Sequence, residues 1–251
     1  MCLILFAHRA HPRYTLLLIA NRDEFFARPT APLGYWEDEP DLLAGRDLQA
    51  GGTWLGISRR GRFAAITNFR DPQSVNPQAP SRGDLVSDYL RGQRTPGDYL
   101  SELQTHAADY NGFNLLVGDG RELGYLSNYD GQPRRVEPGY HGLSNHLLNT
   151  PWPKLERGRE RLRELLDAPS DPSDETLLDL LADRTPAADD ELPHTGVSLE
   201  WERKLSSIFI EAPGYGTRTS TILRLYPDDR LSLVEKNWSD GTQRAFTMQW
   251  P

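Results

Sequence analysis

The chain has 251 residues, a formal net charge of −8, 37% hydrophobic and 25% charged residues, and a single cysteine. That composition supports a sizeable core and excludes general disorder, while the acidic balance argues against non-specific binding to nucleic acid or acidic membranes, which needs clustered positive potential. One cysteine excludes an intramolecular disulfide, and the chain has no apolar run of the about 18 residues that span a bilayer and no signal-peptide core, so a soluble cytoplasmic protein without stable membrane insertion is expected.

Two apolar runs, Cys2 to Ala7 and Leu16 to Ala20, flank a polar segment with Pro12 and read as an antiparallel hairpin covered on both faces. Hairpin geometry brings Cys2, at the head of one strand, beside Asn21-Arg22-Asp23-Glu24 at the end of the other. A second hairpin is expected from Thr53–Ser58 and Arg62–Asn68 around Arg60-Gly61, with Asn68 at its exit. Ser81 then precedes Leu85, Val86, Tyr89 and Leu90 at helical spacing, and Thr95-Pro96 caps a helix carrying Tyr99, Leu100, Leu103 and Ala107.

Strands return through Phe113–Val117 and Tyr125–Ser127 about the Gly118-Asp119-Gly120 turn, and this stretch ends in Gly142-Leu143-Ser144-Asn145. Helices are expected from Thr150 to Leu165-Leu166 and from Ser173 to Ala182, followed by an acidic loop at Ala187–Glu191 that is the best candidate for an entry lid. Strands close the chain at Ser207–Glu211, Ser220–Leu225 and Leu231–Glu235. Runs of strands interrupted by helix pairs predict an α+β protein: a four-layer αββα sandwich of two antiparallel sheets covered by helices. With no linker composition, repeat or low-complexity tract, residues 1–251 read as one domain.

Cys2 is the residue with the most chemistry. If Met1 is trimmed, Cys2 carries both a thiol and a free α-amine, a nucleophile with its base attached. An ordinary thiol is only about 3% thiolate at neutral pH, whereas an α-amine is already partly neutral there. The alternative is a second-position cysteine that merely fills a strand. Structural readings also stand for its neighbours: Asn21, Asp23 and Asn145 lie where turns favour Asn and Asp, Arg22 and Glu24 could pair as a salt bridge, and Trp54 and Trp152 suit a core. Gly51-Gly52 and Gly214-x-Gly216 read as turns, without the strand-to-helix context of a phosphate loop. His8, His11, His106, His141, His146 and His194 lack metal-site spacing and a cysteine partner, so no metal is expected.

The segments Met1-Cys2-Leu3-Ile4, Ala20-Asn21-Arg22-Asp23-Glu24-Phe25, Gly51-Gly52-Thr53-Trp54-Leu55-Gly56, Thr67-Asn68-Phe69-Arg70-Asp71-Pro72, Gly142-Leu143-Ser144-Asn145, Thr150-Pro151-Trp152-Pro153-Lys154 and Tyr215-Gly216-Thr217-Arg218-Thr219-Ser220-Thr221 resemble, in order, the NRDE family, also called transport and Golgi organisation protein 2. That family is in turn distantly similar to N-terminal-nucleophile hydrolases of the choloylglycine hydrolase and penicillin V acylase group. The resemblance implies an αββα sandwich and amide hydrolysis by a terminal cysteine. It matches Cys2 to the nucleophile, Asp23 to the aspartate near the α-amine, Asn145 to the oxyanion asparagine and Arg218 to a late active-site arginine. That group carries an arginine just before its Asn-x-Asp, where this sequence has Ala20.

Two functions follow. The first is a cysteine amidohydrolase acting on a C–N bond other than a peptide bond, in a small amide, through a thioester. Cys2 attacks, Asp23 holds the amine, Arg22 or Arg218 stabilises thiolate charge, and Asn145, with Asn68, binds the oxyanion. It needs no cofactor. The second, from family knowledge of haem trafficking and lipid metabolism, is a non-catalytic carrier of haem or another apolar ligand in the same cleft, although no haem-attachment motif is present. A small-molecule partner and a monomer are expected in either case.

Overall fold

In the computed structural model, which describes residues 2–251, the opening apolar runs form a hairpin of β1 (Cys2–His11) and β2 (Tyr14–Phe25) with Cys2 opposite Arg22. There follow β3 (Thr30–Tyr35), β4 (Leu42–Asp47), β5 (Leu55–Ser58), β6 (Arg62–Asn68), α1 (Arg82–Arg91) and α2 (Pro96–Gln104). The middle of the chain supplies β7 (Phe113–Gly118), β8 (Leu123–Ser127), β9 (Arg134–Arg135), β10 (Gly139–Leu143), α3 (Pro153–Asp167), α4 (Asp174–Leu181) and α5 (Leu199–Leu205). The last elements are β11 (Glu211–Ala212), β12 (Tyr215–Leu225), β13 (Arg230–Asn237) and β14 (Gln243–Gln249).

One sheet runs β10-β1-β2-β12-β13-β14 with β11 attached to β12, and the other runs β3 to β9 in chain order. Alternation of side chains along the strands builds the layers. Ile4, Phe6, Leu18 and Ala20 face Leu43, Ile57, Ala65 and Leu116 between the sheets. The opposite faces of β1 and β2, with Leu3, Leu5, Leu17 and Ile19, pack on Leu155, Leu162, Leu166 and Leu178 of α3 and α4. The second sheet turns Ala64, Leu115 and Val117 outward against Leu85, Val86, Leu90 and Leu100 of α1 and α2. This is the four-layer αββα sandwich that the sequence predicts, and the stretches of β1 and β2 buried on both faces are those that read as continuous apolar runs.

Several elements differ from expectation. β3 contains Pro32 and Gly34 and is an edge strand with a register shift between Ala31 and Gly34, a place where proline costs no ladder hydrogen bond. β14 is also an edge, polar and mostly exposed, so it carries no apolar signal. The expected strand at Ser207–Glu211 is reduced to Glu211–Ala212, because Ser207 Oγ bonds the Phe209 carbonyl at 2.6 Å and closes a turn. β12 begins five residues earlier than expected, since it continues pairing along β2 past a bulge between Thr217 and Thr219. The acidic loop holds a short 3₁₀ turn at Asp189–Glu191 anchored by Arg203 Nε on Asp189 at 2.7 Å. No helix among the described residues is long and apolar enough to cross a membrane.

Candidate active site

A cavity of about 530 Å³ opens at the end of the sandwich where β1 begins and β2 ends. Its wall includes Cys2, Arg22, Asp23, Glu24 and Asn68, and also the start of α1 at Ser81, Arg82 and Gly83. Cys2 is partly buried and free. It continues the row of Ile4 and Phe6, so its partner Arg22 shares its inter-sheet face, whereas Asn21 and Asp23 turn toward the helices. The Ser144 hydroxyl donates to the Cys2 carbonyl at 3.1 Å and ties the head of β1 to the end of β10.

Arg22 is held flat by Trp54, with its guanidinium carbon 4.1 Å from the ring centroid, and Glu24 lies 3.9 Å from its Nη2. Trp54 takes this position because residue 45 is a glycine: a Cβ there would stand 2.3 Å from the indole. Asp23 is buried and its Oδ1 accepts from the Thr217 hydroxyl at 2.7 Å, while the Tyr215 hydroxyl donates to its carbonyl at 3.3 Å. Burial pushes the Asp23 carboxyl upward, against the opposing pull of Lys154, Arg70 and the Thr217 hydrogen bond. The Cys2 thiol is likewise raised, first by burial and then by the Asp23 charge, with Arg22 and the Asp23 backbone N–H pulling the other way.

Behind Asp23 lies a buried polar cluster. Lys154, at the start of α3, is 2% exposed and donates to the Leu205 carbonyl at 2.9 Å. Burial and the neighbouring Arg70 cation lower its ammonium to about 7, with Asp23, Cys2 and Glu202 resisting. Arg70 pairs with Glu202 at 3.0 Å, both side chains buried, and Glu202 also accepts from the Thr195 backbone N–H and hydroxyl at 2.8 and 2.6 Å. Lys154, Arg70 and Glu202 were not singled out from sequence. Lys154 carried one legible signal: it stands four residues before Gly158 on the stripe that continues through Leu162 and Leu166, a charge on the buried face of an amphipathic helix.

The sequence-derived site residues fall into two groups. Cys2, Arg22, Asp23 and Asn68 meet at the cavity wall. Asn145 is fully buried behind it: its Nδ2 donates to the Asn68 carbonyl at 3.0 Å and its Oδ1 accepts from Ser144 Oγ at 3.2 Å and Arg70 Nη2 at 3.4 Å. It therefore fixes the backbone that carries Asn68. Arg218, at the β12 bulge, turns to the carbonyls of Phe25 and Arg28 and straps the turn after β2. Asn21 is structural, its amide donating to the Leu181 and Ile208 carbonyls at 2.8 and 3.0 Å. Among the described residues no group of three or more His, Cys, Asp or Glu side chains is arranged to hold a metal ion.

The family model described as Transport and Golgi organisation 2 matches residues 1–240. The human Transport and Golgi organization protein 2 homolog is 34% identical over 260 residues, covering 96% of this chain and 94% of that protein. The bovine homolog is 36% identical over 268 residues, covering 97% and 96%, and the Drosophila melanogaster protein is 28% identical over 262 residues, covering 94% and 92%. Among solved structures, a mutant conjugated bile acid hydrolase from Clostridium perfringens is similar at TM-score 0.47 and 10% identity, covering 99% of this chain and 92% of that one. An N-acylethanolamine-hydrolyzing acid amidase ortholog from Caenorhabditis elegans is similar at TM-score 0.47 and 9% identity, covering 89% and 92%. The chain belongs to the Transport and Golgi organisation 2 family.

Proposed function

We propose that the protein is a cysteine amidohydrolase that cleaves a small non-peptide amide through a thioester on Cys2. The observation that carries this reading is the place of the chain's single cysteine: at the wall of a polar cavity, on the same strand face as Arg22 and beside Asp23 and Asn68. A thiol raised by burial is a poor nucleophile unless a base stands next to it, and removal of Met1 would supply that base as the α-amine of Cys2 itself. Asp23 would hold the amine. The Cys2 sulfur then attacks the amide carbonyl carbon as its proton passes to the amine. The C–N bond breaks with that proton delivered to the leaving nitrogen, and water cleaves the thioester to a carboxylic acid and the free thiol. Asn68, fixed from behind by Asn145, is the proposed oxyanion donor, a role typically worth about 10² to 10³ in rate.

The same wall disfavours a haem or other apolar cargo, because burying hydrocarbon against the half-buried Glu24, Asp47 and Asn68 would strip those groups of solvent without replacing its hydrogen bonds. The test is hydrolysis of a panel of acyl amides and thioesters by wild type and Cys2→Ala, with intact mass recorded for each preparation. Turnover by protein lacking Met1 and its loss in Cys2→Ala support the proposal. Turnover that persists in Cys2→Ala overturns it.

A further inference from the structure

The cavity that Cys2 lines is also lined by the beginning of a helix. α1 has ten residues, and Ser81, its N-cap, is extended with φ −66° and ψ 125° and makes no side-chain capping bond. Ser81, Arg82 and Gly83 all line the cavity, so the start of α1 and the positive end of its dipole stand at its edge, and of the first-turn N–H groups the Asp84 N–H is taken by the Ser81 carbonyl at 3.2 Å. The first-turn carboxylate Asp84 is not part of the wall.

The backbone there is pressed close by design of sequence. A Cβ on Gly52 would meet the Gly83 carbonyl carbon at 2.5 Å, and the Thr53 N–H donates to the Gly83 carbonyl at 3.3 Å. The Gly51-Gly52-Thr53-Trp54 segment thus seats both the start of α1 and the indole under Arg22. Arg82 donates from Nη1 to the Gly112 carbonyl at 2.9 Å and, among the described residues, has no carboxylate within ion-pair distance. Burial lowers its guanidinium, with the Glu24 charge pulling the other way and the Arg28 cation adding to the lowering.

Arg22 gives the second, independent observation. It is 5% exposed, it lines the same cavity, and its Nη1 is buried with no hydrogen-bond partner among the described residues. A buried guanidinium N–H without an acceptor is costly, so a ligand acceptor is the natural complement. The carboxylates on this wall are already committed. Asp47 takes Arg28 Nε at 2.7 Å and the Gln49 and Ala50 N–H groups at 2.9 and 3.1 Å, while Glu24 accepts the Phe25 N–H at 2.9 Å and lies between Arg28 and Arg22.

We propose that Arg22, Arg82 and the N-terminus of α1 form a receptor for an oxyanion group, carboxylate or phosphate, carried by the molecule whose acyl group is presented to Cys2. The anion receptor stands on the cavity's own geometry, and only the placing of an acyl group at Cys2 rests on the acyl-transfer reading. An anionic tail held at α1 leaves the rest of the molecule in the cavity that Cys2 lines, so the receptor would select charged amides over neutral ones.

The experiment titrates the full chain with inorganic phosphate and, separately, with succinate by calorimetry, and follows protection of Cys2 from iodoacetamide by the same two anions. Saturable one-site binding is expected, with Arg82→Gln weakening it by roughly tenfold or more, the scale of a lost charge-assisted hydrogen bond. Gln retains a donor for the Gly112 carbonyl, and Arg82→Lys, which keeps the charge, is expected to fall between the two. Preference for phosphate or for succinate identifies which oxyanion the site takes. Absence of saturable binding by wild type to either anion, or equal affinity in wild type and a folded Arg82→Gln, overturns the receptor. Cys2→Ala separates the two proposals: it is expected to keep anion binding while losing turnover. Binding without turnover in wild type would leave the receptor standing and remove the hydrolase, and turnover of neutral amides without anion binding would do the reverse.

Discussion

Replacing Lys154 with methionine is expected to abolish a particular slope of stability against pH. The ammonium is held at about 7 in the folded protein, against an ordinary value of 10.5. Between those values the unfolded chain binds the proton and the folded chain does not, so folding stability from this group rises with pH. Below the folded value the full penalty is present, about 5 kcal/mol for a shift of this size, and it vanishes above the unfolded value. Across the range from about pH 7.5 to about pH 9 the wild type should gain about 2 kcal/mol relative to Lys154→Met. Methionine matches the stem and loses the hydrogen bond to the Leu205 carbonyl, a constant offset of about 1 kcal/mol that leaves the slope difference intact. Urea unfolding of both proteins at a series of pH values reads the difference directly. Parallel stability curves would show that Lys154 is an ordinary ammonium and that the cluster behind Asp23 does not hold it near neutrality.

Arg70→Met leaves Glu202 buried without its cation and is expected to cost about 3–5 kcal/mol by chemical denaturation; a loss under about 1 kcal/mol would place the pair in effective contact with solvent. Gly52→Ala drives a Cβ to 2.5 Å from the Gly83 carbonyl carbon and should displace the start of α1, costing about 1–3 kcal/mol in unfolding and weakening phosphate or succinate binding. Unchanged melting and anion affinity would contradict that contact. In protein retaining Met1, the rate of Cys2 alkylation by iodoacetamide should climb with a midpoint above that of a free thiol, because burial outweighs the Arg22 cation. A midpoint below the free thiol would mean that the cavity activates Cys2 without the α-amine.

The parts of this molecule that were legible in the sequence are those whose residues report their surroundings locally. Leu3 to Ala7 and Leu16 to Ala20 lie between two layers and are apolar on both faces, which is why the hairpin and the meeting of Cys2 with Arg22 and Asp23 could be read. Thr95-Pro96 and Ser173 mark helix starts by chemistry confined to one turn, and their side chains cap Asp98 and Thr176. β3 and β14 were silent because edge strands tolerate proline and polar residues. The asparagine pair shows a different limit: which of Asn68 and Asn145 faces the cavity is decided by a bond from Asn145 to the Asn68 carbonyl across 77 positions, and nothing near either residue records it. Arg70 and Glu202 are 132 positions apart, one just past the end of β6 and the other on α5, and only the tertiary fold brings them together. Lys154 could have been found, since a lysine on the stripe of Leu162 and Leu166 must be either partnered or perturbed.

The most direct measurement of the central claim is intact and peptide mass spectrometry of protein mixed with a short-chain acyl thioester and quenched within a turnover. A single acyl group is expected on the peptide that begins at Cys2, absent from Cys2→Ala and discharged by water on longer incubation. Hydrolysis of the thioester with no adduct at Cys2, or an adduct on another residue that persists in Cys2→Ala, would contradict it.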